Sequence, residues 1–143
     1  MKKITVVSKI IALVLCFSLT NCNNSKGQQP AAAQTAQQTP QTVLSPDDFE
    51  AKALQAGVQL VDVRTPAEYQ TGHIANATNI NFNDPNFKAN MEKLDKNKPI
   101  AVYCAAGGRS GKSAALLTQI GFKTVYDLQG GMGAWKAKGK KVN

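Results

Sequence analysis

The chain has 143 residues, of which 17 are lysine or arginine and 9 are aspartate or glutamate, for a formal net charge of +8. This length suits one small domain rather than several. The basic residues lack interleaved aromatic side chains and any nucleic-acid-binding motif, which argues against a nucleic-acid partner. A cluster of them lies near the C-terminus, where we expect a solvated helix and tail: Lys136, Lys138, Lys140 and Lys141.

The N-terminus has the features of an export signal. Lysines precede an apolar run over residues 10–19 that is too short to span a membrane comfortably. The run leads into Leu19-Thr20-Asn21-Cys22, which resembles a bacterial lipoprotein cleavage box, although Asn21 stands where a small residue is usual. We expect a signal peptide over residues 1–21 and lipid on Cys22. Ordinary signal-peptidase cleavage or an uncleaved anchor are the alternatives.

A lipid on Cys22 would place the domain in the cell envelope, on the periplasmic side of a membrane. The protein would contact that membrane only through the lipid. Residues 22–42 are rich in Gln, Ala, Thr and Pro and have no large apolar side chain that could seed a core. We therefore expect a flexible tether there.

The three cysteines differ in their expected fates. Cys16 would leave with the signal peptide and Cys22 would be modified, so Cys104 alone would remain a thiol. Oxidising compartments convert unpaired thiols to sulfenic acid and beyond. An unpaired thiol in an exported chain therefore favours a reactive role for Cys104.

Residues 43–143 have the alternating pattern of an α/β domain. Ser45, Pro46 and two aspartates start a helix that we expect to end near Ala56. Further helices are expected over residues 66–70, around Phe87, Met91 and Leu94, and from the glycine pair after Cys104 to Ile120. Strands are expected over residues 58–63, 79–82, 100–103 and 124–128. Such alternation predicts one parallel sheet with helices on both faces.

Cys104 lies where the third predicted strand ends and a glycine-containing turn, Cys104-Ala105-Ala106-Gly107-Gly108-Arg109-Ser110, leads into a helix. The N–H groups of the turn and the positive end of the helix dipole favour thiolate over thiol, and a cation at Arg109 or Lys112 adds to this effect. The glycines allow positive φ and a close approach of ligand to backbone. The alternative is a small buried side chain that ends a core strand, as most free cysteines are.

Asp62 and Arg64 come at the carboxyl end of the first predicted strand, the edge where open α/β sheets have their sites. A purely structural role is the alternative, in which we expect Arg64 to pair with Glu68. His73 is expected to be a packed, hydrogen-bonded loop residue rather than a general base.

Several ordered motifs resemble those of one family. Cys104-x-x-Gly107-x-Arg109-Ser110 resembles the active-site loop of the rhodanese family, sulfurtransferases that carry sulfane sulfur on a cysteine. The family's DVR, E(F/Y), GHI and L-x-G-G…W signatures are similar to further stretches of this chain: residues 60–64, 68–69, 72–74, 126–131 and 134–135. The resemblance covers residues 43–143 and implies a rhodanese-like three-layer domain with five parallel strands.

The resemblance also implies a chemistry. Cys104 would attack the outer sulfur of thiosulfate or a similar anionic donor and hold it as a persulfide, before passing it to a thiol, a dithiol protein or cyanide. No cofactor or metal is implied, and we expect a monomer. Asp62 and Arg64 would support the site, and the loop would bind the donor through Ala105, Ala106, Gly107, Gly108, Arg109 and Ser110.

Two other functions remain open. Related cysteine phosphatases and arsenate reductases have a loop one residue longer, whereas here Arg109 follows Cys104 after four residues and Ser110 occupies the longer-loop position. A tighter ring of amides suits one sulfur atom better than the three equatorial oxygens of phosphate. The second alternative is a persulfide carrier or a non-catalytic rhodanese-like binding module, and the presence of Cys104 argues against the non-catalytic form.

Overall fold

The computed structural model describes residues 41–143, in which strands and helices alternate along the chain. The strands are β1 (Thr42–Leu44), β2 (Gln59–Asp62), β3 (Thr78–Asn79), β4 (Ile100–Tyr103) and β5 (Val125–Leu128). The helices are α1 (Pro46–Ala53), α2 (Pro66–Gln70), α3 (Phe87–Glu92), α4 (Gly108–Gln119) and α5 (Gly131–Ala137). The expected signal peptide, Cys22 and nearly all of the expected tether lie outside the described residues.

The five strands form one parallel sheet in the order β1-β5-β4-β2-β3. Alternate residues of the central strand β4 belong to two separate cores, because successive side chains of a strand point to opposite faces. Ile100 and Val102 pack in the core that includes side chains of α3 and α4. Ala101 and Tyr103 pack in the core that includes side chains of α1 and α5. The prediction of a parallel sheet between two helical layers is confirmed.

Two elements, β1 and α1, differ from the predicted ones. β1 was not predicted as a strand, since three residues are too few to show an alternating pattern. It is an edge strand that pairs only with β5, and Val43 within it is 54% exposed. Helix α1 ends at Ala53, three residues before the expected end. Ala53 is the last apolar residue of α1 that packs in the core, whereas the next residue, Leu54, is exposed.

The C-terminal tail packs against the domain, so the expectation of a solvated tail is wrong for Lys140. Its Nζ binds Glu50 Oε2 at 2.6 Å and Asp47 Oδ1 at 2.8 Å, and it lies 5.4 Å from the centroid of the Trp135 ring. Trp135 Nε1 donates a hydrogen bond to the carbonyl of Lys141 at 2.9 Å. Among residues 41–143, no helix has the length and apolar character needed to cross a membrane.

Candidate active site

Cys104 follows β4 directly, at the carboxyl edge of the sheet, and the turn after it leads into α4. Gly107 caps the N-terminus of α4 with φ of +97°, a left-handed conformation that side chains with a Cβ rarely adopt. This geometry directs the Gly107 N–H toward Cys104, whose Sγ accepts its hydrogen bond at 3.1 Å. One N–H of the predicted amide cradle therefore points at this sulfur.

The start of α5 holds the loop from the opposite side. Met132 donates its N–H to the carbonyl of Cys104 at 2.8 Å, and Gly133 donates to the carbonyl of Ala105 at 3.0 Å. Gly131 sits so close that a Cβ on it would lie 2.8 Å from Ala105 C and Ala106 N. Only glycine fits there without displacing the loop, which gives a physical reason for the second glycine of the Gly130-Gly131 pair.

Cys104 is 1% exposed, and its burial and its hydrogen bonds have opposite effects on the pKa of the thiol. Burial raises the pKa, but hydrogen bonds from the Ser110 hydroxyl and from the N–H groups of Ser110, Ala106 and Gly107 outweigh it. The net pKa of Cys104 lies below its ordinary value. Among these hydrogen bonds the Ser110 hydroxyl has the largest effect. The effect of the hydroxyl was not predicted, because the sequence indicated only the N–H groups of the turn, the helix dipole and a cation at Arg109 or Lys112 as the groups that favour the thiolate.

Arg109 lies beside Cys104 and is held by Glu68. Its Nη1 donates to Glu68 Oε2 at 2.8 Å and its Nη2 donates to Oε1 at 2.6 Å. Glu68 also accepts hydrogen bonds from the N–H and hydroxyl of Thr65, at 2.9 and 2.8 Å, and so caps the start of α2. Hydrogen bonding to Arg109 outweighs burial and lowers the pKa of Glu68 to about 2, with help from Thr65. The carboxylate therefore joins α2 to the loop.

The expected pairing of Arg64 with Glu68 is wrong, because Glu68 binds Arg109 and Arg64 binds Asp62. Arg64 Nε donates to both Asp62 oxygens at 3.0 and 2.9 Å, and Nη2 donates to Oδ2 at 2.6 Å. Nη2 also donates to the carbonyl of Gly72 at 2.8 Å. Burial lowers the pKa of Arg64, but the hydrogen bond and charge of Asp62 outweigh it and raise the pKa. The side chains are 4% and 0% exposed, so this pair is part of the core.

The Asp62 and Arg64 pair contacts the site only indirectly. Arg64 Cζ lies 5.7 Å from the ring centroid of Tyr103, the residue before Cys104. The Tyr103 hydroxyl in turn accepts a hydrogen bond from the N–H of Ile74 at 3.1 Å. The pair thus packs against the end of β4, and no hydrogen bond joins it to Cys104 or to the loop after it. A supporting role is consistent with this position, while direct contact with a donor is not.

His73 is packed and hydrogen-bonded, as expected. Its ring stacks on that of Tyr69 with the centroids 3.8 Å apart, and its Nδ1 lies 3.2 Å from the Tyr69 carbonyl oxygen. Its backbone exchanges two hydrogen bonds with Asn143, at 3.2 and 2.9 Å. Within residues 41–143, no three histidine, cysteine or acidic side chains are grouped so that they could hold a metal ion.

Asp127 on β5 was not identified as a site residue from the sequence. It is 5% exposed, and among the described residues its Oδ1 is the one buried side-chain oxygen or nitrogen without a hydrogen-bond partner. Burial raises the pKa of Asp127, and a hydrogen bond from the Ser110 hydroxyl opposes that effect.

Comparisons with known proteins agree with this geometry. The family model for the rhodanese-like domain matches residues 45–138. The chain belongs to the rhodanese-like domain family. In the rhodanese fold of this chain, the motifs recognised in the sequence meet at one edge of the sheet. The loop after β4 surrounds Cys104, the E(F/Y) glutamate binds the loop arginine, and the L-x-G-G glycine packs beneath the loop.

The relatives include proteins with and without a stated activity. The uncharacterized protein YqhL of Bacillus subtilis is 36% identical over 112 residues, which cover 77% of this chain and 86% of YqhL. The thiosulfate sulfurtransferase GlpE of Coxiella burnetii is 41% identical over 80 residues, which cover 56% of this chain and 73% of GlpE. A rhodanese-related protein from Thermoplasma volcanium has a crystal structure that matches with a TM-score of 0.64 at 29% identity, over 71% of this chain and 97% of that one.

Proposed function

We propose that this protein is a sulfurtransferase that moves sulfane sulfur from thiosulfate or a similar donor to a thiophilic acceptor through a persulfide on Cys104. The observation that carries the proposal is the environment of the Cys104 sulfur. Its Sγ accepts a hydrogen bond from the Gly107 N–H at 3.1 Å, and hydrogen bonding from Ser110, Ala106 and Gly107 lowers the pKa of Cys104 despite burial. A buried cysteine with a purely structural role would have its pKa raised.

The proposed reaction has two displacement steps. The Cys104 thiolate attacks the outer sulfur of thiosulfate, a new S–S bond forms, and sulfite leaves with the electron pair of the broken bond. The thiolate of an acceptor then attacks the outer sulfur of the persulfide, and Cys104 leaves as the thiolate. The loop N–H groups would stabilise the negative charge on the donor and on the persulfide.

The direct test is mass spectrometry of the purified full-length protein after incubation with thiosulfate. We expect one added sulfur atom on the peptide that contains Cys104, removed by a thiol or by cyanide. A protein that acts as a persulfide carrier would gain the sulfur from a persulfide donor but not from thiosulfate. A non-catalytic binding module would gain none from either donor, and that outcome would refute the proposal.

Arg109→Ala should weaken the binding of an anionic donor more than it slows the chemistry. The guanidinium is permanently charged and lies beside Cys104, where the sulfonate end of thiosulfate should point. We expect KM for thiosulfate to rise about tenfold, as for loss of a charge-assisted hydrogen bond, with kcat changed about threefold or less.

Thermal melting distinguishes this role from one in which Arg109 only holds the loop. The Arg109 and Glu68 side chains are 25% and 34% exposed, so their pairing should contribute about 1 kcal/mol or less. Glu68→Gln is the matched variant, because it breaks the same ion pair and keeps the arginine. A lower melting temperature and lower kcat at unchanged KM in Arg109→Ala would show that Arg109 acts on the structure of the loop alone.

We also propose that the chain is exported and attached to a membrane through lipid on Cys22, that it is a monomer, and that its acceptor is a thiol or dithiol protein at the cell envelope. The support is the basic and apolar pattern of residues 1–19 and the Leu19-Thr20-Asn21-Cys22 box. A lipid-held domain on a tether would encounter acceptors near the membrane surface.

Cys22→Ala should move the protein from the membrane fraction to the soluble exported fraction, because the lipid would have no attachment site. Cell fractionation and determination of the N-terminal residue test this expectation. Cys16→Ala is the matched control and should leave the distribution unchanged. Wild-type protein that is soluble and begins at a residue other than Cys22 would show that the chain is not a lipoprotein.

A further inference from the structure

The guanidinium of Arg109 already holds a carboxylate. Its Nη1 donates to Glu68 Oε2 at 2.8 Å and its Nη2 donates to Glu68 Oε1 at 2.6 Å, so the pair is bidentate. The two terminal nitrogens of an arginine form the edge that binds oxyanions such as carboxylate and phosphate in this way. An anionic donor that approaches this edge of Arg109 therefore meets a group of its own charge there.

Glu68 is held in this position by contacts that do not involve Arg109. Its Oε2 accepts hydrogen bonds from the Thr65 N–H at 2.9 Å and from the Thr65 hydroxyl at 2.8 Å. The Thr65 hydroxyl in turn accepts the N–H of Glu68 at 3.3 Å, so the two residues form a capping box at the start of α2. Because this cap fixes the carboxylate on α2, a donor that binds both terminal nitrogens of Arg109 must separate the guanidinium from Glu68.

The pair lies close to the nucleophile along the chain and along α4. Arg109 is in the first turn of α4, two residues after Gly107, whose N–H binds the Cys104 sulfur. Two residues of an α-helix advance about 3 Å along its axis. Hydrogen bonding to Glu68 raises the pKa of Arg109, burial opposes this effect, and the charge of Cys104 adds to the increase. The side chains of Arg109 and Glu68 are partly exposed, whereas Cys104 is buried, so a solute can reach the pair from solvent.

We propose that Glu68 competes with anionic donors for Arg109, so that the site disfavours a dianion such as thiosulfate relative to an organic persulfide. The sulfonate end of thiosulfate would need the nitrogens that Glu68 occupies. An organic persulfide has its outer sulfur on a carbon-bound sulfur and has no sulfonate, so it need not displace Glu68. The inference rests on the proposed function and names the class of donor for the same site. Glu68 acts through Arg109 and is therefore a positioning residue.

The test compares an anionic and a neutral reagent at Cys104 in the full-length protein. Iodoacetate and iodoacetamide both alkylate a thiolate with loss of iodide, but only iodoacetate has a carboxylate. The ratio of their rates, measured on the Cys104 peptide by mass spectrometry, cancels any change in the amount of thiolate. In Glu68→Gln we expect the ratio of the iodoacetate rate to the iodoacetamide rate to rise about fivefold, as for loss of a competing exposed ion pair. Glutamine can keep its oxygen toward Thr65 and so preserve the cap of α2.

A second background distinguishes competition for Arg109 from simple charge repulsion. In Arg109→Ala, the further change Glu68→Gln should alter the ratio less than about twofold, because no guanidinium is released. An equal rise in both backgrounds would show repulsion through space and would overturn the inference, as would an unchanged ratio in Glu68→Gln alone. Glu92→Gln is the matched control, because it breaks the exposed pair with Lys88, whose atoms are 3.9 Å apart, and should leave the ratio within about twofold.

Another measurement uses wild-type protein and does not depend on the folding of a variant. Carbon-13 NMR of protein labelled at the glutamate carboxyl carbons should show the Glu68 signal shifting saturably as sulfate is added. Sulfate is a dianion that has no sulfane sulfur to transfer, and its binding to Arg109 would remove two hydrogen bonds from the carboxylate. The Glu92 signal is the internal reference. A Glu68 signal that does not shift saturably contradicts the competition.

The preference between donors is measured with thiosulfate and with benzyl persulfide, which has no charge on its organic group. Glu68→Gln should lower KM for thiosulfate about fivefold and leave KM for benzyl persulfide within about twofold. An equal change for both donors would overturn the proposed preference. The alkylation and NMR measurements use no sulfur donor, so their failure is distinguishable from failure of the proposed transferase activity.

Discussion

Cys104→Ser is expected to abolish sulfur transfer from thiosulfate. A serine hydroxyl in this loop is not ionised near neutral pH, and it cannot form the persulfide that the reaction requires. Activity should fall below about one thousandth of that of wild type, the order of loss seen when a covalent nucleophile is removed. The measurement is the rate of sulfite release from thiosulfate in the presence of a thiol or cyanide acceptor.

Two controls distinguish loss of the nucleophile from loss of the folded structure. The substitution is nearly isosteric, so the melting temperature of Cys104→Ser should remain close to that of wild type. Ser113→Ala on α4 is a suitable control, because it removes a buried hydroxyl that bonds only to the carbonyl of Arg109 at 2.8 Å. Sustained turnover by well-folded Cys104→Ser protein would exclude this residue as the nucleophile.

Asp62→Ala should produce the largest loss of stability. It removes the carboxylate that binds Arg64 Nε and Nη2 and the Arg64 N–H, and leaves a guanidinium that is 4% exposed without its counter-ion. Breaking a buried ion pair in this way costs about 3–5 kcal/mol in the free energy of unfolding. Urea denaturation of the two proteins measures the difference.

Glu92→Ala provides the comparison, because it breaks the exposed pair with Lys88, whose atoms are 3.9 Å apart. That change should cost less than about 1 kcal/mol. Replacing both Asp62 and Arg64 with apolar residues of similar size should recover part of the stability, since no charge is then left buried without a partner. A loss in Asp62→Ala no greater than that in Glu92→Ala would show that the buried pair contributes little.

Side-chain partners explain most of the difference between prediction and structure. Glu68 is four residues from Arg64 and 41 residues from Arg109, yet it binds Arg109. Arg64 instead folds back on Asp62, two residues before it, and reaches the carbonyl of Gly72. A long flexible side chain can reach several neighbours, and only the relative positions of α2 and the loop select among them. Sequence separation therefore favoured the wrong partner.

The sequence by itself determined the class of fold and the position of Cys104 at the end of a strand and the start of a glycine-containing turn. Alternating strands and helices specified a parallel sheet covered on both faces, and glycines with a cysteine at the end of the central strand specified a loop of inward N–H groups. These features depend on local conformational preferences and on spacing along the chain, and both can be read from the order of the residues. The tertiary structure alone decided that the three-residue strand β1 joins the sheet edge, that Lys140 binds the acidic side chains of α1, and that Asp127 Oδ1 is buried without a hydrogen-bond partner. Each of these depends on contacts between residues far apart in sequence, whose distances are set only when the helices and strands pack together.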